Sequence, residues 1–295
     1  MNRKIDYKIN ENDTGKTVEG FLKEHGYTHQ VLVRLKQTDH GILRNGIWAY
    51  TNERLCKDDL IAVHIVENEC SDNIAPVNLP LDIAYEDDDI IVINKPFDMP
   101  AHPSAGNHDN TLANALMYYY GSQNKPFVYR CINRLDRDTT GLTIVAKHAL
   151  AGGILGNAVA KRAIHRTYYA ACSGCTPACM RISAPIARKD ASTIERCVDF
   201  KRGENAVTDF IRIKYNPDNN LSLVKLRLLT GRTHQIRVHM KYIGFPLIGD
   251  FLYNPDYTYI SRQALHSGRL VFTHPVTGQK MDLISDIPSD MKSLF

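Results

Sequence analysis

The chain of 295 residues has one tryptophan and no uninterrupted apolar run near the 18 residues of a membrane span, so no transmembrane helix is expected. Its first residues, Met1-Asn2-Arg3-Lys4-Ile5-Asp6-Tyr7-Lys8, lack the apolar segment of a secretory signal, and a cytoplasmic protein without membrane contact is expected. No complete phosphate-binding P-loop is present. Internal repeats and low-complexity tracts are missing too. With 43% hydrophobic and 23% charged residues, disordered, collagenous and coiled-coil readings are excluded. The length fits one large domain or two modest ones. Seven cysteines is an odd number, and a cytoplasmic setting disfavours disulfides. Cys172, Cys175 and Cys179 form a C-x2-C-x3-C cluster. Zinc and iron–sulfur sites want a fourth ligand, and Cys197 and His165 sit in no recognisable second pair. No metal is therefore expected; Cys172 reads as a small buried hydrophobe at a strand end.

A net charge of +4 is small, so its distribution matters more than its sum. Residues 1–75 carry 10 Lys and Arg against 12 Asp and Glu. Basic residues then concentrate in 125–170, where only Asp136 and Asp138 are acidic, and in 223–242, where no acid occurs. Such concentrations suit a polyanionic partner, although a solvated surface explains charge alone equally well.

Apolar spacing predicts a helix over 14–24 with Thr17 as N-cap, a second over 30–36, a hairpin turning at Asn45-Gly46, and a strand over 60–66. These make a compact unit over 1–70. A polar linker over 71–80 carries Pro76 and Pro80. Beyond it lies a larger domain, 81–295, with strands at 90–94, 142–146, 168–172, 206–215, 221–229 and 269–273. Helices are predicted from Thr111, over 148–162 and over 233–243. Strands outnumber helices and often follow one another directly. The fold class is therefore α+β, a mainly antiparallel mixed sheet with a small N-terminal α/β unit.

Two segments could carry chemistry. Asn133-Arg134-Leu135-Asp136-Arg137-Asp138-Thr139-Thr140-Gly141-Leu142 is a densely charged loop leading into an apolar strand, and its arginines favour an ionised aspartate. Gly141 permits a tight turn there. Thr230-Gly231-Arg232-Thr233-His234-Gln235-Ile236-Arg237-Val238-His239 feeds a glycine turn into a helix whose start carries arginines suited to phosphate. A solvated turn and a basic outer helix face are the plainer readings of the two.

The first segment resembles the H-R-L-D-[RK]-[DE]-T-[ST]-G-L signature of the RluA-type pseudouridine synthase family. Asn94-Lys95-Pro96 with Met99-Pro100 and His102-Pro103 looks like the family's N-K-P motif. Arg166-Thr167-Tyr168 with Ala170 and Gly174 looks like its K-x-Y-x-A strand. Gly231 to His239 matches G-R-T-H-Q-I-R-x-H. Pro246-Leu247-Ile248-Gly249-Asp250 with Tyr253, then Leu265-His266-Ser267 and His274-Pro275, follow in the family's order. The likeness spans about residues 80–295. The N-terminal unit is weakly similar to an S4-type RNA-binding domain, though it is net acidic where such domains are usually basic. Asn133 stands where the family has histidine, a change expected to touch loop structure more than the nucleophile. Asp98 stands where glycine is common, which is expected to alter a turn.

The resemblance implies an isomerase that converts uridines in structured RNA to pseudouridine, with ribosomal RNA favoured over transfer RNA. The N1–C1′ bond breaks, the uracil rotates and a C5–C1′ bond forms, so no cofactor is needed. It implies Asp136 as the essential carboxylate, acting at C1′ as nucleophile or as the base for elimination across C1′–C2′. Arg237 is implied as its ion-pair partner, and Tyr168 as the ring that stacks on the uracil. Arg134 is implied to fill the space of the flipped base. Arg137, Arg232, His234 and Lys95 are expected on the RNA-binding surface. All these motifs follow residue 90, so the N-terminal unit is expected to tune target choice. A monomer without an obligate protein partner is expected. An inactive RNA-binding protein, a cysteine-dependent metalloenzyme and a small-molecule glycosidase are the alternatives. The last would need a second acid, and Asp138 is too close in sequence to serve.

Overall fold

The computed structural model describes all residues except 105, 191 and 193. Residues 2–66 build a four-stranded sheet from β1 (Asn2–Lys8), β2 (Ile42–Arg44), β3 (Ile47–Trp48) and β4 (Leu60–Val66), in the order β1-β4-β2-β3. Two helices, α1 (Val18–Glu24) and α2 (His29–Gln37), cover it. Each starts at a threonine, Thr17 or Thr28, whose hydroxyl accepts a backbone N–H of the first turn. Asn45 and Gly46 both take positive φ, 53° and 82°, as a two-residue hairpin turn requires. Ile5, Phe21, Leu22, Leu32, Ile61 and Val63 are buried together in one core. The strand β1 was not predicted. Only Ile5 of its seven residues is buried, so its apolar signal is too sparse to show alternation. Residues 67–80 contain no helix or strand.

The larger sheet has nine strands: β5 (Ile83–Glu86), β6 (Ile90–Lys95), β7 (Thr140–Ala146), β8 (His165–Ser173), β9 (Cys179–Ser183), then β12 (Val207–Asn216), β13 (Leu221–Leu228), β14 (Leu265–Thr273) and β15 (Lys280–Ile284). A separate pair, β10 (Ile186–Arg188) and β11 (Arg196–Val198), precedes β12. The order is β5-β6-β7-β14-β8-β13-β12-β9, with β15 also on β14. All pairs are antiparallel except β7 with β14. This is the mixed, mainly antiparallel α+β architecture expected. The helices are α3 (Leu112–Gly121), α4 (Ala149–Ala160), α5 (Gln235–Tyr242) and the short α6 (Ser289–Lys292). Among the described residues no helix is long and apolar enough to cross a membrane.

Two features place the site. Every residue of β7 is buried, so the charged loop before it hangs from the centre of the sheet. Gly141 pairs with Ser267 across the one parallel contact, at φ 106°. A Cβ there would lie 2.3 Å from the Ser267 carbonyl oxygen. The glycine is thus required by close strand approach within β7 as well as by its positive φ. Helix α5 packs Ile236 and Met240 onto the sheet face formed by Tyr168, Ala170, Val224 and Leu226.

Candidate active site

Leu135 and Ile236 are buried in the same apolar core, and each is followed by a charged residue. That shared burial brings Asp136 and Arg237 together across 101 residues: Arg237 Nη1 donates to Asp136 Oδ2 at 3.0 Å. Arg237 is 1% exposed. Its Nε and Nη2 donate to the two oxygens of Asp250, each at 2.7 Å. Asp250 Oδ1 also accepts the backbone N–H groups of Leu252 and Tyr253. The guanidinium is therefore clamped from behind and presents one free edge to Asp136. Asp136 keeps its side chain 31% exposed, open to a ligand.

Asp136 and Arg237 line a cleft of about 90 Å³, together with Arg134, Thr139, Arg166, Tyr168, Arg232 and His234. Tyr168 is buried on β8, and burial raises its phenol above the ordinary value while the Arg166 charge opposes this. His234 sits at φ 56° just before α5. Its Nδ1 bonds the Tyr253 hydroxyl at 3.0 Å, and its Nε2 lies 3.8 Å from Asp136 Oδ2. Burial lowers the imidazole pKa, with the Asp136 charge working the other way, so the neutral ring is favoured near pH 7. Among the described residues, a larger cleft of about 1030 Å³ between α2 and α4 is lined by no carboxylate.

The neighbouring residues hold the loop. The Asn133 side chain donates to the Leu142 carbonyl and accepts from the Ile144 N–H, tying the loop to β7. These bonds anchor the loop through the Asn133 side chain. Gln263 donates to Thr139 Oγ1 at 2.6 Å. Gln235 donates to the Val207 carbonyl and Thr208, and His239 bonds Thr208 and the Ala184 carbonyl. Gln235 and His239 of the Gly231–His239 motif thus seat α5 on β12 and on Ala184. Asp98 adopts φ 53°, a conformation glycine takes freely and aspartate tolerates. The positive-φ backbone that a glycine would supply there is present, and the expected alteration of the turn is not needed.

Several expectations need correction. Lys95, expected on the RNA-binding surface, is 1% exposed. Its Nζ donates to the Pro96 and Arg137 carbonyls at 2.6 and 2.8 Å, so it props the loop from beneath. Arg137 is exposed and pairs with Asp138; it does not line the cleft itself. The basic stretch 223–242 splits: Lys225 and Arg227 alternate with the core residues Val224 and Leu226, and so leave the sheet on the face opposite Arg232 and Arg237. Asp250 was seen in a motif but given no role; its pairing with Arg237 is visible only in three dimensions. Cys172 is buried in the core, whereas Cys175 and Cys179 are exposed. Among the described residues the one group of metal-ligand type within 4.8 Å is Asp87, Asp89 and His274, none of which lines the cleft. Its acids already accept from Tyr85, Arg3 and His148.

Burial pushes the Lys95 amine down to about 7, with the Asp138 and Asp136 charges opposing. Between that value and the ordinary 10.5, the unfolded chain binds a proton at Lys95 that the folded chain does not. Stability therefore rises with pH across this window and loses the contribution below it. Denaturant unfolding at pH 7 and pH 9.5 is expected to show that gain in the wild type and a smaller one in Lys95→Met. Equal pH dependence in both would contradict it.

The protein-family model for RNA pseudouridylate synthase matches residues 89–242. The uncharacterized RNA pseudouridine synthase YjbO of Bacillus subtilis is 38% identical over 281 residues, 95% of this chain and 98% of its own. Ribosomal large subunit pseudouridine synthase D of Escherichia coli K12 is 36% identical over 97% of this chain and 92% of its own. Among solved structures, human RNA pseudouridylate synthase domain containing 1 superimposes with a TM-score of 0.59 at 26% identity, covering 70% of this chain and 83% of that one. The class is that of RNA-modifying isomerases. Within it, the chain belongs to the RNA pseudouridine synthase family, of the RluA type.

Proposed function

We propose that Asp136 is the catalytic carboxylate of this isomerase and that its substrate is a uridine of large-subunit ribosomal RNA. The observation that carries the site assignment is the Arg237–Asp136 ion pair at the mouth of a cleft lined by arginines. The substrate assignment rests on the relatives named ribosomal large subunit pseudouridine synthase D, at 36–41% identity. Arg237 supplies a fixed positive charge that keeps Asp136 ionised and aimed, whether it attacks C1′ or removes a proton from C2′. The electron pair of the N1–C1′ bond leaves with the uracil. The base rotates, C5 bonds C1′, the C5 proton is lost and N1 gains one, so the isomerisation balances without an oxidant or reductant. Tyr168 forms the apolar wall against which the uracil stacks, and Arg134 takes its place in the RNA stack. Incubating the protein with transcripts of large-subunit ribosomal RNA and of transfer RNA tests the substrate. Pseudouridine is expected in the first; formation only in the second would overturn that half of the reading.

Arg232 lines the cleft and pairs with the exposed Glu204. It is read here as a phosphate contact. For the wild type, log K is expected to fall linearly with log[salt], with about 0.7–0.9 in slope per phosphate neutralised. Arg232→Ala is expected to weaken binding across all RNA targets and to reduce the slope by about one contact. An unchanged slope in the variant would remove Arg232 from the binding surface.

A further inference from the structure

The geometry points to a base-stacking subsite beside the cleft: Phe251, with the Phe97 loop near it, receives unpaired bases that flank the target uridine. The inference rests on the reading of the protein as an enzyme of RNA, and it specifies the RNA as single-stranded or looped around the target.

Phe251 and Phe97 are 41% and 52% exposed. Phe251 and the loop that carries Phe97 meet at Arg137. The Phe251 ring centroid lies 5.5 Å from the Arg137 guanidinium carbon and 5.3 Å from that of Arg237. Arg237 bonds Asp136, so the ring sits one side chain away from the reacting carboxylate. Phe97 precedes Asp98, whose carboxylate lies 3.8 Å from Arg137 Nε, and Met99 N–H donates to the Arg137 carbonyl. The Arg262 guanidinium carbon stands 6.0 Å from the Phe97 ring.

The backbone that carries Phe251 is also held in place. Phe251 follows Asp250 in a turn fixed when Asp250 Oδ1 accepts from the Leu252 and Tyr253 N–H groups. The carboxylate that aims Arg237 at Asp136 therefore also fixes the backbone at the exposed phenylalanine. A preorganised backbone costs little ordering entropy when a flat ligand arrives. Exposed rings interleaved with arginines fit single-stranded RNA, because every base has a face to stack and every nucleotide a phosphate to pair. The cleft beside the rings is lined by Arg134, Arg166 and Arg232, a concentration of positive charge that suits a polyanion better than an apolar protein partner.

Binding separates this inference from the catalytic one, since it is measured whether or not a uridine is converted. The probes are a fluorescein-labelled 12-nucleotide single-stranded RNA of mixed sequence and a strand of equal length and charge with abasic residues throughout. The wild type is expected to bind the base-bearing strand about tenfold more tightly. Phe251→Ala is expected to shrink that preference to about twofold, with an unchanged salt slope, and Phe251→Trp to restore it. Phe251→Leu, which keeps the apolar bulk, is expected to behave like the alanine variant and stands in for it if Phe251→Ala is unstable. A wild type without preference, a Phe251→Leu variant that retains it, or equal losses on both strands would overturn the inference.

Discussion

Asp136→Asn is expected to abolish pseudouridine formation, by at least about four orders of magnitude, while folding and RNA binding stay close to wild type. Asparagine keeps the shape of the side chain and can still accept from Arg237 Nη1, which now lies 3.0 Å from the carboxylate. It cannot supply the charge or the nucleophilic oxygen. The carboxylate is partly exposed in an open cleft, so its loss leaves no buried cavity and the fold has little reason to respond. Asp138→Asn is the control. It removes the same charge two residues away, but Asp138 serves Arg137 on the far side of the loop. Release of tritium from RNA labelled at uridine C5 reads the reaction directly, because C5 gives up that hydrogen once the C5–C1′ bond has formed. Comparable losses in the two variants would mean general electrostatic damage.

Arg237→Lys is expected to lower turnover by at least about a hundredfold in a folded protein. A lysine carries the charge but not the fork. It cannot hold both Asp250 oxygens and still reach Asp136 in the same plane. Arg237→Ala is expected to go further and destabilise the protein by about 3–5 kcal/mol, because it strands the Asp250 carboxylate, buried and without its partner. Thermal unfolding and single-turnover rates of the two variants measure this. An Arg237→Lys enzyme with the wild-type rate would show that the bidentate clamp has no part in aiming Asp136.

The element plan was legible wherever apolar residues kept a clear period. The strand over 60–66 and the helices capped by Thr17 and Thr111 stand where the pattern put them. The parts that failed to show have physical reasons. Strand β1 hangs on one buried residue, and β9 on Ile182 alone. Gly141 reads as a turn residue in one dimension, whereas its need comes from Ser267, which is distant in the chain. Asp136 and Arg237 stood out only through the family resemblance, because charge spacing cannot reveal a pair 101 residues apart. Lys95 shows the limit most plainly. A lysine is a surface residue by composition, and only the two carbonyl groups around its amine explain why this one is buried.

Pseudouridine positions in ribosomal RNA from cells lacking this protein, complemented with either the wild type or Asp136→Asn, test the central claim most directly. At least one large-subunit position is expected to be lost on deletion, restored by the wild type, and left as uridine by Asp136→Asn expressed at the same level. Restoration of that position by Asp136→Asn would contradict the assignment of Asp136 as the catalytic carboxylate.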